Sequence, residues 1–310
     1  MPIELVREKY SDAINTVEIG RPGSRTVKVG GEMTMPFLFE EGQVPNPPVV
    51  ALEILDCEPT DWPENLKSPF GQSLKDPVTW AKKCVAEFGA EILCVRLASG
   101  HPDYGRRPAE AIIPKVMAIL KETGVPLVIV GCGDDETDND LLPKVSQALK
   151  GENCLLGIAT QRNYKTLAVT ALADGHSIIA ESPIDINIAK QVNILISDMR
   201  FDPRRIVMHP TTTSLGYGME YVYSIMERAR LAAFIGDKML AMPFILFVGG
   251  EVWKTKEARE SGEAQGVNWE LATAVSMVQA GADMIVMRHP AAARSAMAYI
   301  DMIMKKGAEK

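Results

Sequence analysis

Residues 91–131, EILCVRLASGHPDYGRRPAEAIIPKVMAILKETGVPLVIVG, contain a complete strand–helix–strand unit. An apolar run over 91–98 is followed by an amphipathic stretch over 107–123 that stops at Gly124, and a second apolar run covers 126–131. Both runs are almost continuously hydrophobic, as expected for strands whose two faces are covered by helices. Strands that alternate with helices in this way predict a parallel α/β sheet.

The same unit recurs after residue 47. We predict strands at residues 49–56, 91–98, 126–131, 154–160, 177–181, 205–209, 244–248 and 284–288, and helices at 76–88, 107–123, 139–150, 164–174, 184–199, 219–235, 269–280 and 291–306. Glycines that suit left-handed helix caps follow five of these helices, at positions 89, 124, 151, 175 and 281. Eight units in one series favour a closed (β/α)8 TIM barrel, and an open eight-stranded sheet is the alternative.

The N-terminal segment lies outside this repeat. We therefore predict two parts, an extension over residues 1–46 and a barrel over 47–310. Within the extension, residues 16–19 and 26–29 alternate apolar and polar side chains on either side of the sequence GRPGSR. This pattern predicts a β-hairpin, which we expect to plug the bottom of the barrel.

Composition excludes several classes of function. The net charge of −7 argues against a nucleic-acid partner, because neutralising phosphates requires clustered Lys and Arg. No segment offers 18 uninterrupted apolar residues and the chain starts without a leader pattern, so we expect no membrane contact and a cytoplasmic location. The five cysteines form no C-x-x-C pair, so no iron–sulfur or zinc motif is expected within this chain.

Charged side chains interrupt four of the predicted strands near their carboxyl ends. They are Glu53, Arg96, Glu181 and Arg288. Because the βα loops form the site in nearly all TIM barrels, these residues suggest a polar ring that holds a ligand. An internal network of ion pairs explains them equally well.

Hydroxyls, glycines and an aromatic ring follow the sixth strand. Thr211, Thr212 and Thr213 precede Tyr217, which lies between Gly216 and Gly218. This combination suits a large, flat ligand fringed with amides, although a plain helix-capping loop would have the same composition.

The last two strand ends supply the remaining candidates. Gly249 and Gly250 follow the seventh strand, where barrels often bind phosphate, although a pair of glycines also suits a tight turn. His209 and His289 end the sixth and eighth strands, and each precedes a proline, so each is either a ligand or a fixed turn residue. The predicted cofactor-binding set is Thr211, Thr212, Thr213, Tyr217, Gly249, Gly250, Arg288 and His289.

An acidic cluster follows the third strand. Asp134, Asp135, Asp138 and Asp140 could bind magnesium, but acids at the start of a helix also suit its dipole, with Thr137 or Asp138 as the N-cap. The histidines lack H-x-x-x-H and H-E-x-x-H spacing, so no metal site is nominated. The sequence also shows no nucleophile–base pair, so no catalytic residue is nominated.

Several loops together resemble a known family. They are the segments LVIVGCGDDETDNDLL from residue 127, ESPIDIN from 181, HPTTTSLGYG from 209 and GGEVWK from 249. They resemble the small-subunit family of the corrinoid iron–sulfur protein, whose archaeal counterpart is the delta subunit of acetyl-CoA decarbonylase/synthase. The resemblance covers essentially the whole chain.

The resemblance implies a barrel subunit of a heterodimeric methyl carrier in the reductive acetyl-CoA (Wood–Ljungdahl) pathway. Methyl would pass from methyltetrahydrofolate, through a methyltransferase, to the cobalt of a cobalamin-type corrinoid and on to acetyl-CoA synthase. The large subunit would hold the [4Fe–4S] cluster and the corrinoid domain, and this barrel's mouth would cover the corrinoid. The sequence lacks the D-x-H-x-x-G pattern of proteins that ligate cobalt through histidine, so no cobalt ligand is nominated.

Two other functions are consistent with the same residues. A pterin-binding methyltransferase is also a barrel, and it would recruit Asp134, Asp135, Asn163 and Asn187 at the strand ends. A pure scaffold would fill the mouth with its own loops. Because no catalytic set is evident, we expect a non-catalytic subunit and leave open whether the chain is an enzyme.

Overall fold

Eight parallel strands form a closed barrel in the computed structural model, which describes residues 6–308. In chain order they are β3 (Val49–Leu55), β4 (Leu93–Arg96), β5 (Leu127–Val130), β6 (Leu155–Ala159), β7 (Ser177–Glu181), β8 (Ile206–His209), β9 (Ile245–Leu246) and β10 (Met284–Met287). Each strand pairs with its neighbours along the chain, β10 pairs with β3, and a bridge between Met208 and Phe244 joins β8 to the β9 segment. The predicted TIM barrel is therefore confirmed over the open sheet.

The helices surround this barrel. They are α1 (Glu64–Lys67), α2 (Pro77–Ala86), α3 (Ala109–Thr123), α4 (Asp135–Ala148), α5 (Tyr164–Asp174), α6 (Ile186–Asp198), α7 (Met219–Phe234), α8 (Val248–Val252), α9 (Lys256–Arg259), α10 (Glu263–Gln279) and α11 (Pro290–Ala308). Gly124 and Gly175 cap α3 and α5 with φ of +64° and +85°, as predicted. None of the helices within residues 6–308 is both long and apolar enough to cross a membrane.

Several element boundaries differ from the sequence prediction; helix α10, for example, starts at Glu263 rather than at Trp269. Helix α4 starts at Asp135 rather than Asn139, and its N-cap is Asp134, whose carboxylate accepts the backbone N–H of Thr137 at 2.9 Å. The seventh strand is shorter than predicted, because residues from Val248 onward already form helix α8. An unbroken apolar run does not distinguish a buried strand from a buried helical turn.

A hairpin closes the amino-terminal end of the barrel. Strands β1 (Val17–Ile19) and β2 (Val27–Val29) pair antiparallel, and their apolar side chains pack against interior residues of the barrel strands. The backbone N–H groups of Asn15 and Gly20 donate to the carbonyls of Ala241 and Asn153, which precede β9 and β6. The predicted hairpin and its position at the bottom of the barrel are therefore confirmed.

A buried ion cluster ties the extension to the barrel wall. The guanidinium of Arg230 on α7 donates to Glu32 at 3.3 Å, to Asp283 at 2.8 Å and to the carbonyl of Gly281 at 2.7 Å. Such a cluster fixes the position of the extension, because separating its partners would leave an uncompensated buried charge. The division of the chain into parts at residues 46 and 47 stays a prediction.

Candidate functional site

An ion triad forms part of the floor of the mouth, the carboxyl-terminal end of the barrel. Glu53 on β3 is 1% exposed and accepts a hydrogen bond at 2.6 Å from Nε of Arg96 on β4. Its other oxygen accepts one at 2.5 Å from Nε of Arg288, which follows β10. Neighbouring strands thus place three charges side by side. The internal ion pairing that the sequence suggested is present, in a position that borders the mouth.

The two arginines keep Glu53 ionised. Burial alone would raise the pKa of this carboxyl, but the charges and hydrogen bonds of Arg288 and Arg96 outweigh it and hold the pKa at about 2. A buried carboxylate is tolerated only with such partners.

The floor continues across the barrel through Phe247. The guanidinium of Arg96 lies 5.7 Å from the ring centre of Phe247, and the imidazole of His209 meets the same ring edge-to-face at 4.9 Å. Nδ1 of His209 lies 3.0 Å from Oε1 of Glu181. The barrel is therefore closed beneath the mouth by charged and aromatic side chains, which come from β3, β4, β7, β8 and the end of β9.

The three predicted threonines have different roles. Thr212 is buried, and its hydroxyl accepts the backbone N–H of Phe247 at 2.8 Å and lies 3.2 Å from Nε2 of His209. Thr211 has a φ of +68° and donates its hydroxyl to the carbonyl of Ser182 at 2.8 Å. The hydroxyl of Thr213 is buried and has no partner among the described residues. Thr212 is consequently a structural brace, whereas Thr213 keeps an unused hydrogen-bonding group.

The aromatic ring of the same loop is accessible. Tyr217 is 52% exposed, and its hydroxyl donates to Oε2 of Glu257 at 3.0 Å. Tyr217, Thr213 and Lys254 line a cavity of about 350 Å³ beside β8 and β9. Tyr217 is therefore placed where a ligand at the mouth could reach it.

Gly249 and Gly250 are buried within helix α8 rather than in a turn, which corrects the tight-turn interpretation. A β-carbon on Gly249 would lie 2.6 Å from the backbone nitrogen of Arg288 and 2.8 Å from Oε1 of Glu270. Gly249 is needed because two other elements approach its backbone closely. Gly250 has only Arg288 within 4 Å, at 3.9 Å.

Glu270 on α10 is a central residue that sequence reasoning missed. It is fully buried, and it accepts the backbone N–H of Arg288 at 2.6 Å, the indole N–H of Trp253 at 2.8 Å and the backbone N–H of His289 at 3.1 Å. Burial raises its pKa to about 7, against the lowering effect of these donors. The only sequence signal is an acid on the otherwise apolar face that carries Ala274 and Met277.

His289 is a fixed turn residue in this structure. Its ring is 1% exposed and stacks on Trp253 with a centroid distance of 6.0 Å. Nδ1 accepts the backbone N–H of Ala291 at 3.2 Å, so Nε2, which lies 3.6 Å from Oε1 of Glu263, carries the proton in the neutral ring. Burial lowers the pKa of His289.

The acids after β5 do not converge. Asp138 accepts the backbone N–H groups of Cys132 and Gly133 at 2.7 and 2.9 Å, and Asp140 pairs with Lys144. Within residues 6–308 no group of three or more acids, histidines or cysteines could hold a metal ion. The helix-capping interpretation fits this segment, with Asp134 rather than Thr137 or Asp138 as the cap.

Three cavities lie around the mouth. The largest, about 790 Å³, lies beyond β5 to β8 and is lined by Thr160, Glu181 and Thr211. A second, about 220 Å³, lies beside Trp62, Arg96 and Arg288. The third is the Tyr217 cavity described above. The mouth therefore offers several cavities with both polar and apolar lining around the ends of the strands.

The closed barrel with a polar mouth places the chain among TIM-barrel proteins. Solved structures of similar shape include dihydropteroate synthase from Xanthomonas albilineans, with a TM-score of 0.59, 13% identity, and coverage of 93% of this chain and 98% of that one. Dihydropteroate synthase from Thermus thermophilus gives a TM-score of 0.54 at 15% identity, covering 87% and 99%. At these identities the likeness shows the fold alone.

The sequence comparisons define the family. Residues 16–303 match the model of the CO dehydrogenase/acetyl-CoA synthase delta subunit. The acetyl-CoA decarbonylase/synthase complex subunit delta of Methanocaldococcus jannaschii is 33% identical over 294 residues, which cover 91% of this chain and 72% of that protein. The corresponding subunit of Methanothermobacter thermautotrophicus is 32% identical, covering 92% and 74%. The chain belongs to this delta subunit family, as the resemblance of its loops predicted.

Proposed function

We propose that this barrel is a non-catalytic subunit that covers a corrinoid with its mouth during methyl transfer in an acetyl-CoA decarbonylase/synthase-type complex. Membership of the delta subunit family supports a role in such a complex. The observation that carries the finer proposal is the shape of the mouth, where three cavities lie around the ends of the strands above a closed floor. A large flat ligand can lie across such a surface, whereas a small substrate is usually enclosed in a deep pocket.

The side chains at the mouth fit the chemistry of a corrinoid. A corrin ring is fringed with amides, which both donate and accept hydrogen bonds. The hydroxyl of Thr213, in the loop after β8, borders the Tyr217 cavity and lacks a partner among residues 6–308. Buried polar groups without partners are uncommon in proteins, and ligand amides would satisfy them.

The predicted contacts then separate into two groups. Thr211, Thr213, Tyr217 and Arg288 would hydrogen-bond the amide fringe. Thr212, Gly249 and His289 would act indirectly, because they hold the loops in place. Gly250 has no close neighbour and would contribute only open space beside Arg288. When bound, the corrinoid supplies a cobalt atom that carries the methyl group. This chain's residues would orient the ring and exclude water, and we nominate no cobalt ligand among them.

The proposal includes specific partners. A large subunit would share the corrinoid and hold the [4Fe–4S] cluster, a methyltransferase would deliver methyl from methyltetrahydrofolate, and acetyl-CoA synthase would receive it. All of these reactions would take place in the cytoplasm. No nucleic acid or membrane takes part in the proposed reaction.

The test compares this chain alone with the chain co-expressed with its proposed large subunit. We expect corrinoid absorption and stoichiometric cobalt in the complex only. In the complex, Thr213→Val and Tyr217→Phe should change the corrinoid spectrum or weaken its retention. Tyr223→Phe is the matched control, because its hydroxyl also donates to a glutamate, Glu227 at 2.9 Å, on the outer helix α7. A complex that retains corrinoid identically in all variants would contradict the proposed contacts.

The pterin-binding alternative has less support. Asn163 uses its amide on the backbone of Thr160 and Ile158, and Asp134 caps α4. Two of the four side chains proposed for pterin recognition are thus already engaged. Tight binding of methyltetrahydrofolate by the isolated chain would nevertheless favour this alternative. A pure scaffold predicts that Arg288→Ala changes stability and leaves methyl transfer unchanged.

A further inference from the structure

Arg96 and Arg288 are held in an unusual way. Each guanidinium uses only its Nε–H on Glu53. Each also lies against an aromatic ring, Arg96 at 5.7 Å from the centre of Phe247 and Arg288 at 5.0 Å from that of Trp62. The terminal Nη atoms of both side chains make no hydrogen bond within residues 6–308. Two rigid donor groups are consequently positioned but unused.

These donors border a defined space, which we call the arginine cavity. It has a volume of about 220 Å³, and its polar and aromatic lining residues include Asp61, Trp62, Arg96, Asp103, Tyr104 and Arg288. Such a volume fits a small ion or the anionic end of a larger molecule, since whole drug-sized ligands need roughly 300 Å³ or more.

The charges around the cavity are mixed. Within the triad, two arginines share one carboxylate, Glu53. The other buried acids nearby are engaged: Asp56 binds the backbone N–H and hydroxyl of Ser99, and Asp138 binds backbone N–H groups. At the rim, Asp61 is exposed and accepts the hydroxyl of Tyr104, and Asp103 lies 3.5 Å from His101. These acids oppose an anion, so the proposed site depends on the unused donors of the two arginines and not on a net positive charge.

We propose that the arginine cavity binds an oxyanion, the phosphate or carboxylate group of a ligand. The planar guanidinium presents paired N–H donors that match two oxygens of such a group, which an ammonium cannot do. Glu53, Trp62 and Phe247 fix both planes before the ligand arrives, so little side-chain entropy is lost on binding. This inference does not depend on a corrinoid, because it follows from the triad and the cavity alone.

The test is a titration of the full-length chain at constant ionic strength with inorganic phosphate, acetate and acetamide. Acetamide has the shape of acetate without its charge. Calorimetry should show saturable binding of the anions and much weaker binding of acetamide, whose uncharged oxygen is a poorer acceptor for a guanidinium. Tighter binding of phosphate would identify a phosphate-bearing ligand, and tighter binding of acetate a carboxylate-bearing one. Absence of saturable binding of either anion, or equal binding of acetamide, would overturn the proposal.

Two kinds of variant locate the site. Arg96→Lys keeps the charge but loses the planar fork, and it should weaken anion binding by about tenfold or more. Arg162→Lys is the control, because Arg162 is an exposed arginine of the mouth outside the arginine cavity.

If Arg96→Lys fails to fold by circular dichroism, Trp62 provides a second readout. Anions should change tryptophan fluorescence in the unaltered chain and not in Trp62→Phe, and a signal that persists there would place the anion elsewhere.

Discussion

The backbone N–H of Arg288 donates a 2.6 Å hydrogen bond to Oε1 of Glu270, so a fully buried side chain of α10 positions the arginine that borders the mouth. The second oxygen of Glu270 holds the indole of Trp253 and the backbone of His289. One carboxylate thereby connects the residue after α8, helix α10 and the loop after β10. Predictions about the mouth therefore begin with Glu270.

Glu270→Gln should flatten the pH dependence of stability. Burial raises the pKa of Glu270 from 4.5 to about 7, so the folded state holds this proton more tightly than the unfolded chain does. The resulting stabilisation is complete below pH 4.5 and is lost as the pH rises through about 7. We expect the difference between wild type and variant to change by up to about 3 kcal/mol across this window.

Urea unfolding at a series of pH values measures this difference. His176 and His289, whose pKa values are lowered by burial, favour folding as the pH rises, but they are present in both proteins and their effects largely cancel. Glu251→Gln, at a partly exposed acid of α8, should keep the wild-type slope. Parallel curves for wild type and Glu270→Gln would disprove the assignment.

Glu53→Gln should be strongly destabilising. The variant leaves the side chains of Arg96 and Arg288 without their shared charge, and breaking a buried ion pair costs about 3–5 kcal/mol. The pKa of Glu53 is held at about 2 in the folded protein, below its ordinary value of 4.5. The ionised carboxylate therefore stabilises the folded state fully above pH 4.5, and this stabilisation is lost as the pH falls to about 2. Urea unfolding at neutral pH measures the loss, and a change within about 0.5 kcal/mol, typical of surface substitutions, would contradict the role of the triad.

The two glycines of α8 should respond oppositely to alanine. A β-carbon at Gly249 would lie 2.6 Å from the backbone of Arg288, and overpacking of this kind costs about 1–3 kcal/mol. At Gly250 the nearest atom is 3.9 Å away, so alanine should be neutral or stabilise by up to about 1 kcal/mol through helix propensity. Thermal unfolding of Gly249→Ala and Gly250→Ala measures both effects, and equal losses would show that close approach is not the reason for Gly249.

Ile19→Ala should destabilise the whole barrel. Ile19 is fully buried in the hairpin that closes the barrel, and truncating such a side chain typically costs about 2–5 kcal/mol. Lys28→Ala, on the exposed face of the same hairpin, should change stability by less than about 0.5 kcal/mol. Denaturant unfolding compares the two, and similar small losses would mean that the hairpin packs only loosely.

The fold was predictable because each barrel strand is a short apolar run and several helices stop at a glycine. Gly124 and Gly175 show this directly, since both adopt the left-handed conformation expected. The start of α8 was not predictable. Phe244 to Val248 is one apolar run, and the change from strand to helix within it depends on packing against Arg288 and Glu270, which are distant in sequence.

The site was predictable only in part. Charges within apolar strands identified Glu53, Arg96 and Arg288, because such charges need partners or a ligand. Which hydroxyls are already used could not be predicted: Thr212 is engaged and Thr213 is not, although both lie in the same run. The role of Glu270 could not be predicted from the sequence, because this helix residue reaches the loop after β10 only through tertiary packing.

Among the described residues, the hairpin over Val17–Val29 covers the end of the barrel opposite the mouth. A ligand held at the mouth must leave by the route through which it came, since the opposite end is sealed. If two macromolecules needed one ligand held at the mouth, both would have to approach from that same side, and they would compete for access to it.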